Sequence, residues 1–215
     1  MHTKSQWFRI ALALICAFSI VLTPAEAKQT AYQTAFDEWL AVEGDFANWQ
    51  KSGARLSAGG ELVLNPTTAI WETDPYALGT YYEGNFYNGG SYWVGEATSP
   101  EAPAAFDFDE LIPSWNALTP PGTWIEILVR AELDGRWTKW YNAGIWASGT
   151  ETVTRHSVRL QADDDGTVSV DTLVINLKKA VTGAYQFKVR LFSEDGVATP
   201  TLRYMSAAYS PTAPK

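Results

Sequence analysis

Apolar and polar positions alternate through the second half of the chain. Ile125, Ile127 and Val129 alternate with Glu126, Leu128 and Arg130; Tyr185, Phe187, Val189 and Leu191 alternate with Gln186, Lys188 and Arg190. A period of two places each set on one face of a strand, so both segments predict strands with one face turned to a core. Leu173, Ile175 and Leu177 repeat the pattern, and residues 202–209 predict a last strand before a Pro-containing tail, 210–215. Residues 61–64 and 92–94 are shorter candidates, ended by Pro66 and by Ser99 and Pro100. Residues 28–50 predict the one helix: Phe36, Trp39 and Leu40 are spaced i, i+3, i+4, with Asp37 and Glu38 suited to a first turn.

Asp134 and Gly135 sit between two apolar-rich runs and predict a two-residue hairpin turn with positive φ at both positions. Pairing Leu133 with Arg136 then sets Ala131 opposite Thr138, Val129 opposite Trp140 and Arg130 opposite Lys139, with Glu132 as a diagonal neighbour. Short strands, turn signals between them and no βαβ rhythm give an all-β fold class: a single β-sandwich or jelly-roll-like domain over 28–209 with one short N-terminal helix.

The N-terminus reads as a processing segment. Lys4 and Arg9 precede an apolar run over 10–22, followed by Ala25, Glu26 and Ala27, the order of a secretory signal with an A-x-A cleavage site. As a helix that run rises about 20 Å, short of a ~30 Å hydrocarbon core. Cleavage after Ala27 is expected, giving a secreted chain with no membrane segment. Loss of Lys4, Arg9 and Glu26 takes the net charge from −8 to −9, and Cys16 and His2 leave as well. An acidic chain disfavours nucleic acid as a partner, because phosphate neutralisation needs basic patches. The remaining chain has no thiol and one histidine, His156.

These losses narrow the chemistry. A cysteine nucleophile is excluded from the mature chain, and no cofactor is implied. Ser157 adjoins His156, but neighbours on a strand point to opposite faces and make a poor nucleophile–base pair. Glu83, Glu96, Asp107, Asp109 and Glu110 are the carboxylates a glycan-active enzyme would draw on. The turn Asp163, Asp164, Asp165, Gly166 fails the spacing of a calcium-binding EF-hand loop, with Thr172 where the bidentate Glu belongs. No metal is expected, and Asp163 and Asp165 are the residues a cation would have to use. The 81–93 segment, rich in Tyr, Asn and Gly, fits two readings equally: aromatics that plug the end of the sandwich with Asn capping turns, or a recognition loop whose ligand residues are Tyr81, Tyr82, Asn85, Tyr87, Asn88, Tyr92 and Trp93. The outer face of the 124–147 hairpin, with Arg130, Trp137 and Tyr141, is the second candidate.

The Trp-rich runs 88–100, 108–126 and 136–147, with 155–158 and 171–173, resemble the N-terminal accessory β domain of secreted bacterial papain-like cysteine peptidases related to the bacteriocin-leader-processing family. The resemblance covers most of 44–206. It implies a catalytic Cys and His in a C-terminal domain; with no Cys between 28 and 215, no catalytic residue carries over. The expectation is a stand-alone copy of the accessory domain or a fragment of a longer peptidase. Three functions follow: an exported non-catalytic module binding neutral glycan or peptide, a substrate-positioning part partnered with a cysteine-peptidase catalytic domain, or a carboxylate-dependent glycan-active enzyme.

Overall fold

The computed structural model describes residues 32–74, 87–149, 151–176 and 181–212. In chain order its strands are β1 (Ala35–Leu40), β2 (Gln50–Ser52), β3 (Ala54–Leu56), β4 (Leu62–Leu64), β5 (Ile70–Thr73), β6 (Ser91–Thr98), β7 (Ala102–Pro103), β8 (Glu110–Leu118), β9 (Thr123–Leu133), β10 (Arg136–Trp137), β11 (Tyr141–Trp146), β12 (Gly166–Ser169), β13 (Thr172–Ile175), β14 (Val181–Ser193) and β15 (Thr201–Ser210). One sheet runs β12-β13-β8-β15-β4-β3, with β1 also on β15. The other runs β10-β9-β14-β6-β2, with β11 on β9, β5 on β6 and β7 on β14. The long central pairs β9–β14 and β8–β15 are antiparallel.

The alternation explains the core. Ile125, Ile127 and Val129 of β9 and Tyr185, Phe187, Val189 and Leu191 of β14 are fully buried against Leu111, Leu173, Leu202, Met205 and Ala207 of the facing sheet. This is the all-β sandwich that the period-two pattern predicts. Leu177, the predicted signal segment and its cleavage point lie outside the described residues.

The predicted N-terminal helix is corrected. Phe36, Trp39 and Leu40 lie in β1, which pairs along its whole length with β15. The same residues also fit a period of two. Phe36 and Glu38 are exposed, whereas Trp39 packs edge-on against Tyr185 and Phe187, and Asp37 accepts a hydrogen bond from the Tyr185 hydroxyl. A sheet partner outweighs a three-residue helical spacing, since helix nucleation is costly. Helical structure here is two 3₁₀ turns, Ala41–Glu43 and Asp45–Asn48, and Asp45 accepts a hydrogen bond from the Leu40 N–H.

The hairpin turn forms as predicted, with Asp134 at φ 53° and Gly135 at φ 78°. Leu133 pairs with Arg136, and the Thr138 N–H donates to the Ala131 carbonyl. Beyond that point the predicted register is corrected, because Val129 pairs with Tyr141 rather than with Trp140. One extra residue between Thr138 and Tyr141 bulges the strand, and a one-residue slip exchanges the faces. Tyr141 takes the buried place, Trp140 goes to the outer face, and Lys139 reaches Asp163 at 3.0 Å instead of facing Arg130.

Candidate ligand groove on the outer sheet face

The registers of β9, β14, β6, β2 and β5 fix rows of side chains on the outer face of the second sheet. The first row is Trp124, Phe192, Val94 and Ile70; the next is Glu126, Arg190, Glu96 and Ser52. The third is Leu128, Lys188, Thr98 and Gln50, and Arg130 stands beside Gln186 in the fourth. The face therefore grades from aromatic to charged to polar.

The aromatic end is a second, smaller core. Trp124 and Phe192 stack with ring centres 4.9 Å apart, and Tyr87, Tyr92, Ile145, Val153 and Val158 close over them. Under this cap Glu126 is 1% exposed and is held by Arg190 at 3.1 Å, by the Tyr87 hydroxyl at 3.0 Å and by the Asn142 amide. Burial works to lower the Arg190 pKa, but Glu126, with Tyr87 and Glu72, outweighs it and leaves the pKa above its ordinary value. Burial, with Glu126, pushes the Tyr87 hydroxyl up as well.

For Tyr87 and Tyr92 this arrangement matches the plug reading of the 81–93 segment. Tyr87 is 5% exposed and Tyr92 1%, so both rings fill the core instead of displaying themselves. Asn88 is tied by its amide to Glu194 at 2.9 Å, and Trp93 packs on Trp71 at 5.1 Å. Tyr81, Tyr82, Asn85 and Glu83 lie outside the described residues. Tyr141 of the second candidate face is also buried, with its hydroxyl donating to Asp163.

The polar end of the face is open, and Arg130 and Trp137 of the second candidate belong to it. The Arg130 guanidinium lies 4.4 Å from the ring centre of Trp137 and 4.5 Å from that of Trp140. Its Nε and Nη2 both donate to the Gln186 side-chain oxygen. The Lys188 ammonium lies 5.1 Å from the Trp140 ring and 3.5 Å from Glu96. Cation–π contacts of this kind are worth about 0.5–2 kcal/mol each, more when shielded from water. Beside them Gln50, Ser52, Glu96, Thr98, Arg130, Trp140 and Lys188 line a groove of about 250 Å³. Burial lowers the Arg130 pKa, with Glu101 opposing. Trp140, Lys188, Gln50, Ser52 and Thr98 are groove residues that the sequence reading did not single out. The outward phase of β2, β6 and β14 signals four of them, whereas the bulge hides Trp140.

The remaining candidates are held in structural contacts. Asp163 accepts from Lys139, from the Tyr141 hydroxyl and from the backbone N–H groups of Asp165 and Gly166. Asp165 pairs with both Nη atoms of Arg136 at 2.6 Å. Partial burial acts to raise the Asp163 pKa, and these hydrogen bonds outweigh it and hold the carboxyl below its ordinary value. Among the described residues no group of three or more His, Cys, Asp and Glu is placed to hold a metal ion. His156 pairs backbone to backbone with Ile145, its Nδ1 is 2.7 Å from the Thr154 carbonyl, and Ser157 donates to Asp171 instead. Asp109, one of the carboxylates that a glycan-active enzyme would draw on, accepts from the Thr212 N–H and hydroxyl.

A comparison with curated proteins found no match. A comparison with protein families matched the Peptidase C39 N-terminal domain over residues 35–210. That span runs from the first residue of β1 to the last of β15. The chain belongs to the family of Peptidase C39 N-terminal domains.

Proposed function

We propose that this chain is an exported, non-catalytic accessory module that binds peptide or neutral glycan outside the cell, and that it binds in the groove beside Arg130. The observation that carries this reading is the half-buried Arg130 guanidinium, within 4.5 Å of the ring centres of both Trp137 and Trp140, on the edge of an open polar groove. The rigid sheet fixes these groups before a ligand arrives, and preorganisation reduces the ordering cost of binding. Indole faces pack on sugar rings or apolar side chains, and Gln50, Ser52 and Thr98 donate and accept at their edge.

Family membership favours a second role for the same surface: holding substrate for a cysteine-peptidase catalytic domain. Both roles require the groove. A peptide and glycan array probed with the protein and with Trp140→Ala tests them. Binding that drops by about 1–3 kcal/mol in the variant supports the proposal; array binding that the variant retains in full refutes it.

A further inference from the structure

We infer that the groove recognises a carboxylate carried by a peptide, gripped by Arg130 with Lys188 beside it. This deepens the reading of the groove as a binding site and rests on it.

The charge count comes first. Two cations, Arg130 and Lys188, and one carboxylate, Glu96, line the groove of a chain whose overall charge is −8. Glu96 stands 3.5 Å from Lys188, and among the described residues no carboxylate lies within ion-pair distance of Arg130, which feels Glu101 only from farther off. A guanidinium partly withdrawn from water loses hydration that one neutral amide replaces only in part, and a carboxylate on its remaining N–H groups would add charge-assisted hydrogen bonds.

Geometry then selects the ligand group. The indoles of Trp137 and Trp140 stand against the guanidinium, and Gln186 takes Nε and one hydrogen of Nη2. What remains is the edge formed by Nη1 and the second Nη2 hydrogen. Two parallel N–H donors in one plane match the two oxygens of a carboxylate. Lys188 adds a second, less directional charge on the same wall. The hydroxyls and amide of Ser52, Thr98 and Gln50 supply the mixed donors and acceptors that peptide amides need. The acidic remainder of the surface repels polyanions, so the site suits a single carboxylate: a Glu or Asp side chain or a chain terminus.

The test is calorimetric titration of the full chain with blocked hexapeptides that differ only in one Glu or Gln, with a glucuronate oligosaccharide as a third probe. The Glu peptide is expected to bind about tenfold tighter than its Gln twin, with affinity that weakens as salt rises. Lys188→Gln, which leaves the Trp137–Arg130–Trp140 stack in place, reduces that ratio, and Arg130→Gln abolishes it. Equal affinity for the twins overturns the carboxylate assignment and leaves the groove as a binding site. Arg130-dependent binding of the glucuronate alone overturns the peptide assignment. Failure of all three probes, while the array shows groove-dependent binding of a neutral ligand, overturns this inference but not the proposed function; an array without any groove-dependent binding overturns both.

Discussion

Glu126 and Arg190 stand opposite each other on β9 and β14, and their side chains meet at 3.1 Å beneath an aromatic cap. Both lie on the outward phase of their strands, where alternation predicts solvent. The cap of Tyr87, Tyr92 and Trp124 converts that position to interior, where each charge is met by the other and by Tyr87, Asn142 and Glu72. Removing Glu126 leaves the largely buried Arg190 with Glu72 as its counter-charge and takes away its closest one, and Glu126→Ala is expected to cost about 3–5 kcal/mol. Urea unfolding of the variant measures this, and a loss under about 1 kcal/mol contradicts the buried network.

Tyr87 separates packing from recognition. Its ring lies 4.8 Å from Phe192 and 5.3 Å from Tyr92, so Tyr87→Ala is expected to cost about 3–5 kcal/mol of stability. Tyr87→Phe keeps the ring but withdraws a hydrogen bond from buried Glu126, at about 1–3 kcal/mol. Ligand affinity of the folded Phe variant stays at the wild-type value. A weakened affinity with unchanged stability reverses this assignment.

The acidic turn predicts a pH dependence with a definite sign. Asp163 and Asp195 both have carboxyl pKa values held below the ordinary one: Asp163 by the bonds that outweigh its burial, and Asp195 by the N–H groups of Val197 and Ala198. In the unfolded chain these groups titrate near about 3.9. Their contribution is therefore fully present above that value and is lost as pH falls through it towards the lower folded pKa. Thermal midpoints between pH 6 and the acid transition (on the order of pH 3) should fall less steeply for Asp163→Asn than for the parent. Parallel curves contradict a stabilising role for that carboxylate.

Export gives a chemical prediction. The proposed cleavage after Ala27 would remove the single Cys, so intact-mass analysis of secreted protein should show a chain starting at Lys28 with no thiol titre. A secreted form that retains Cys16, or full-length chain confined to membranes, contradicts the processing assignment.

Sandwich class was legible because alternation at 125–129 and 185–191 has no helical reading, and the Asp134–Gly135 turn because both residues tolerate positive φ. Phe36, Trp39 and Leu40 misled because three apolar residues fit either period, and only the pairing with β15 decides. Arg130 and Trp137 were legible as outward residues of the hairpin. Trp140 was not, since a one-residue bulge moves it to the other face and leaves no mark in composition. The burial of Tyr87 and Tyr92 was hidden for a different reason: aromatic rings suit a recognition loop and a core cap equally, and contact with Trp124 and Phe192, more than thirty residues away in sequence, makes the choice.

The groove itself is tested most directly by NMR of the indole N–H resonances during titration with whichever ligand the array identifies. The Trp137 and Trp140 signals should shift in proportion to saturation, and the buried Trp124 signal should stay in place. Saturation with Trp137 and Trp140 unmoved, and shifts confined to residues 87–93, would contradict the account.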